Sequence, residues 1–127
     1  MGFFDMISKA VQEGKAKAEF EAAEFSRKIE MADLSSACML AIKEFKSASL
    51  PMKSSLSRFI RQRIEATDST YDLYYAFENT YHWARRRNDN YALNVSQWIG
   101  RKLYNMNDHR VETRGDSEKP LYVPRNS

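Results

Sequence analysis

Cysteine occurs once in the 127 residues, at Cys38, proline three times, glycine four times and histidine twice. A single thiol cannot close an internal disulfide, so the hydrophobic core must hold the fold, and a reducing, cytoplasmic setting is expected. Cys38 lies among Ala37, Met39 and Leu40 with no base near it in sequence, which reads as an inert core thiol. Four glycines form no Gly-rich phosphate loop. Glu78 and His82 stand four apart and share a helix face, but no second ligand pair accompanies them, so neither a metal nor a cofactor site is expected. No apolar run approaches the ~18–20 residues that span a bilayer. The start, Met1-Gly2-Phe3-Phe4-Asp5, lacks a basic stretch ahead of an apolar one, so no secretory signal is expected. Met6 occupies the position where a myristoylation motif requires Ser or Thr.

What is present is the composition of one soluble globular domain, 43% hydrophobic and 29% charged, long enough to bury a core without metal or disulfide. Apolar residues recur at helical spacing throughout. Residues 4–31 read as one long helix striped by Ile7, Val11, Gly14, Ala18, Ala22, Phe25 and Ile29. Its eleven-residue period keeps the stripe on one side of a nearly straight helix. Its small residues invite close pairing with the bundle or with a second copy, so a homodimer is one expectation. Asp33 caps a second helix, 34–47, faced by Leu34, Cys38, Ala41, Ile42 and Phe45. Pro51 opens a third, 51–66, with the stripe Met52, Leu56, Phe59, Ile60 and Ile64. Ser69 and Asp72 mark the start of a fourth, 70–88, and a fifth, 91–105, carries Tyr91, Val95, Trp98, Ile99 and Leu103. After Asn107 the charges alternate and Pro120 and Pro124 intervene. The expectation is an all-α bundle of four to five helices over 1–107, with a flexible or extended tail over 108–127.

The fourth helix is the most unusual segment. Six of the thirteen residues from 71 to 83 are aromatic: Tyr71, Tyr74, Tyr75, Phe77, Tyr81 and Trp83. Leu73, Phe77, Tyr81 and Ala84 make a core face, whereas Tyr75 and Trp83 point elsewhere. Either the helix is central and covered all round, or part of its aromatic surface is open to a partner. It ends in Arg85-Arg86-Arg87, favourable at a helix C-terminus. Charge is uneven along the chain: residues 51–107 hold nine Lys or Arg against five Asp or Glu, whereas residues 1–50 hold seven against eight.

Function is thereby narrowed to binding, with no catalytic residues assigned and no enzyme expected. Arg87-Asn88 opens like the Arg-Asn-x-x-x-His element of HEPN-type helical ribonucleases, but Ala92 stands where the histidine is required. Two readings follow. In the first, the chain is a regulator, adaptor or inhibitor that grips another protein through Tyr71, Tyr75, Trp83, Arg85, Arg86, Arg87 and Arg101, residue types that dominate interface energetics. In the alternative, the basic, aromatic-rich helices bind nucleic acid, with Arg58, Arg61, Arg63 and Lys102 as further phosphate contacts. The first helix has a mixed, slightly acidic polar side, so a membrane surface is not the expected partner.

Overall fold

The computed structural model describes Lys17 and residues 19–126. A helix over 19–31 (α1) leads into α2 (Leu34–Phe45), α3 (Leu50–Ala66), α4 (Thr70–Arg87) and α5 (Asn90–Asn105). A hairpin of β1 (Val111–Arg114) and β2 (Leu121–Pro124) follows. The chain is an all-α bundle, as its periodicity predicts. Residues 4–16 and Ala18 of the expected first helix, with Gly14 and most of the stripe expected to pair copies, lie outside the described residues. The described part of that stripe packs on the bundle, with Phe25 and Ile29 buried.

Polar side chains fix where each helix begins. Backbone N–H groups of the first turn have no partner within the helix, and four Ser or Asp side chains supply one. Asp33 accepts from Ser36 N–H at 3.2 Å, Ser49 from Met52 at 3.3 Å, Ser69 from Asp72 at 3.2 Å and Asp89 from Ala92 at 3.0 Å. Hydrogen bonds from Ser36 hold the Asp33 carboxyl below its usual pKa. Asn88 ends α4 in the left-handed region, at φ 51°, so α5 starts within two residues and returns antiparallel along α4.

The stripes converge on one core. Leu56, Ile60, Leu73, Phe77, Val95, Ile99 and Leu103 are wholly buried within it. Helices α2 and α5 each pack against both α3 and α4, so α3 and α4 lie on opposite sides of the α2–α5 pair and turn their outer faces away from one another. At one end, Phe45 of α2 stacks on Tyr91 of α5 with ring centroids 3.6 Å apart. Where α4, α5 and β2 meet, Gly100 makes a close approach. A Cβ there would lie 2.7 Å from Phe77 Cε1 and 2.7 Å from Tyr122 Cβ.

The tail expected to be flexible or extended is extended but docked. β1 and β2 pair antiparallel in the register Val111↔Pro124 to Arg114↔Leu121, and both pack on α5. Val111 and Val123 are buried. The Gln97 side chain of α5 accepts from Tyr122 N–H at 2.7 Å and donates to the Tyr122 carbonyl at 2.9 Å. Buried apolar area and a doubly bonded backbone fasten the strand, which a free tail would lack. Asp108 and Arg110 form an ion pair at 2.7 Å ahead of it, and hydrogen bonds from Arg110 hold the Asp108 carboxyl below its usual pKa.

Candidate functional site

The cations expected to form one surface across the third to fifth helices divide into three groups. The first group serves the fold. Arg63 donates from Nη1 to the carbonyls of Ile29 at 3.0 Å and Glu30 at 3.1 Å, and from Nη2 to that of Ala32 at 2.9 Å. Lys102 Nζ donates to the carbonyls of Ile64 at 2.9 Å, Glu65 at 2.7 Å and Thr67 at 2.6 Å. Helix C-termini expose carbonyls without intrahelical partners and carry partial negative charge, so a cation there satisfies both needs. Arg63 thus closes α1, and Lys102 closes α3.

The second group lines a groove between the outer sides of α3 and α5. Its volume is about 520 Å³, and Arg61, Glu65, Trp98, Arg101, Lys102 and Asn105 are among its walls. The Arg61 guanidinium lies over the Trp98 ring, 4.3 Å from its centroid, and Trp98 and Tyr91 form a T-shaped pair with centroids 6.2 Å apart. Lys53 and Arg58 continue the basic lining along α3. Among the described residues, no carboxylate lies within ion-pair distance of Arg58, Arg61 or Arg101.

The third group belongs to α4. Its inner side buries Leu73, Ala76, Phe77, Thr80, Tyr81 and Ala84. Helical spacing puts Tyr71, Tyr75, Glu78, His82 and Arg85 on the other side. Tyr71 is 74% and Tyr75 55% exposed. The helix is therefore not covered all round: its inner side is core and its outer side is open to solvent. At the edge toward the hairpin, Arg110 lies over the Tyr74 ring at 4.2 Å. Burial, followed by the neighbouring Glu78, raises the Tyr74 phenol above its ordinary pKa. Trp83 does not join the outer face. It sits half-buried on the α2 side, 3.7 Å from the Arg87 guanidinium and 5.7 Å from Lys43 Nζ, and its indole N–H has no acceptor among the described residues.

Of the residues expected to hold a protein partner, the structure thus gathers Tyr71, Tyr75, Arg85 and Arg86 on or beside one exposed face. Trp83 and Arg87 turn toward α2, and Arg101 lies in the groove on the other side of the bundle. Sequence reasoning did not single out Lys53, Asn105 or Arg110. Lys53 and Asn105 gain significance only when α3 and α5 are set side by side, and Arg110 only when the hairpin docks.

Cys38 is fully buried, and burial pushes its thiol pKa up to about 12, which leaves almost no thiolate near neutral pH. Among the described residues, no three His, Cys, Asp or Glu side chains converge where they could hold a metal ion, and no helix is long and apolar enough to cross a membrane. Comparison of the chain with known protein families, with curated proteins and with solved structures finds no match.

Proposed function

We propose that this chain is a non-enzymatic binding protein that engages another protein through the outer face of α4. The observation that carries the reading is the exposure of Tyr71 and Tyr75, one turn apart on a helix whose core contribution is complete without them. Tyrosine supplies large, stiff contact area and a polar tip, and with arginine it recurs among interface anchors. Glu78, His82, Arg85 and Arg86 give the face a polar rim with charges of both signs. Helix α4 is about 26 Å long at ~1.5 Å per residue, enough to form the centre of an interface of ordinary size.

The test is the double variant Tyr71→Ala with Tyr75→Ala, compared with the parent chain against whichever partner the parent retains from its own cells after nuclease treatment. Each anchor is expected to contribute about 2–4 kcal/mol, so loss of either weakens binding about 30- to 1,000-fold. Both positions are exposed, so the melting temperature should stay close to the parent's. Unchanged affinity in the folded double variant would reject the α4 face as the interface.

A further inference from the structure

We propose a second site on the other side of the bundle, in which the groove between α3 and α5 binds single-stranded nucleic acid. It does not depend on what docks against Tyr71 and Tyr75.

The cations of α3 and α5 differ in whether their donors are already used. Arg63 and Lys102 spend their donors on helix-end carbonyls. Arg58, Arg61 and Arg101 close no helix end, are exposed, and have no carboxylate within ion-pair distance among the described residues. With Lys53 they line two adjoining hollows of about 520 Å³ and 640 Å³ in which Glu65 is the one acid. Uncompensated positive charge in a concave surface concentrates potential and favours a polyanion.

The aromatic element decides which polyanion. Trp98 is half-buried in the wall with the Arg61 guanidinium over its ring. A guanidinium over a ring offers a platform for a base, while Arg101 in the same hollow and Arg58 in the adjoining one reach phosphates. An acidic peptide would use the charges but has no need of the platform. A duplex would use the phosphate contacts but keeps its bases stacked inside, so the platform selects an unpaired strand. Asn105 at the rim adds a donor and an acceptor for a base edge. The stacking is tolerant of base identity, so little sequence preference is expected.

The probes are fluorescently labelled oligothymidylate and oligouridylate, with polyglutamate as the competing polyanion, read by anisotropy on the full chain. The parent should bind one or both oligonucleotides at micromolar concentration in about 50 mM salt and lose affinity steeply by about 200 mM. Arg61→Gln combined with Arg101→Gln should weaken binding at least about tenfold and reduce the slope of log affinity against log salt by about 1.4, two single-strand phosphate contacts at ~0.7 each. Trp98→Phe keeps a smaller ring and should weaken binding less, while quenching of Trp98 fluorescence by the parent's ligand should disappear. The matched control, Arg27→Gln with Lys28→Gln on α1, removes the same charge from exposed positions outside both proposed surfaces and should leave affinity within about twofold. Binding of neither oligonucleotide in low salt would overturn the site. So would equal losses from the two charge-removing pairs, which would make net charge alone responsible, or polyglutamate competing as well as oligothymidylate. Circular dichroism of each variant checks that the helices remain.

Discussion

The end of the bundle where α1 and α3 finish and the groove between α3 and α5 use the same residue types for different purposes. Arg61 and Arg63 are two positions apart on α3, and Arg101 and Lys102 are adjacent on α5. Arg63 and Lys102 turn to helix ends and bond three carbonyls each. Arg61 and Arg101 turn to the groove and bond none. A residue's charge therefore says little about its role. Its angle around the helix, and what ends nearby, decide whether the cation serves the fold or a ligand.

Neutralising the inward pair should have the largest effect. Lys102→Met leaves the carbonyls of Ile64, Glu65 and Thr67 without their donor and should cost about 2–3 kcal/mol, with Arg63→Met close behind. Urea denaturation measures both, and a loss below about 0.5 kcal/mol would show that water replaces these donors freely. A smaller effect is expected one turn from Arg101. Gln97→Ala should cost about 1–2 kcal/mol by unfastening Tyr122, and it should open the hairpin to limited proteolysis while the helices stay folded. Smaller still, Arg61→Met and Arg101→Met should each move stability by less than about 0.5 kcal/mol. A larger loss would place them with the inward pair.

The smallest effect is electrostatic. The Asp33 and Asp108 carboxyls are held below their ordinary value of 3.8 in the folded chain. The unfolded chain therefore takes up these protons first as pH falls. Their contribution is fully present above that ordinary value and is lost as pH falls through the folded values. Melting temperature should decline over this acid range, and Asp33→Asn with Asp108→Asn should flatten the decline. An unchanged profile in the double variant would assign acid sensitivity to other groups.

Much of the fold was legible in the sequence because helices of this length repeat their apolar signal several times. Leu56, Ile60 and Ile64 identify one face of α3, and Asp33 and Ser69 mark starts through the same local hydrogen bonds that form in the structure. The hairpin was not legible, since four-residue strands offer no period to count and the loop from Gly115 to Pro120 lacks a two-residue turn signature. Its charges read as solvated tail, whereas Val111 and Val123, one on each strand, dock it. The candidate site was half legible. The outward turn of Tyr75 follows from its angle relative to Leu73 and Phe77. The separation of Arg101 from Tyr71 depends on how α3, α4 and α5 are arranged about α2, which no local pattern encodes.

The carboxamide of Gln97 has a consequence for the behaviour of many copies together. A two-stranded sheet has two open edges, and each is a template onto which another chain can add a strand. By meeting both the N–H and the carbonyl of Tyr122, Gln97 acts as a third strand one residue long and stops growth along the β2 side. The remaining edge is four residues long and carries Glu112 and Arg114, short and charged in the manner that discourages fibre formation.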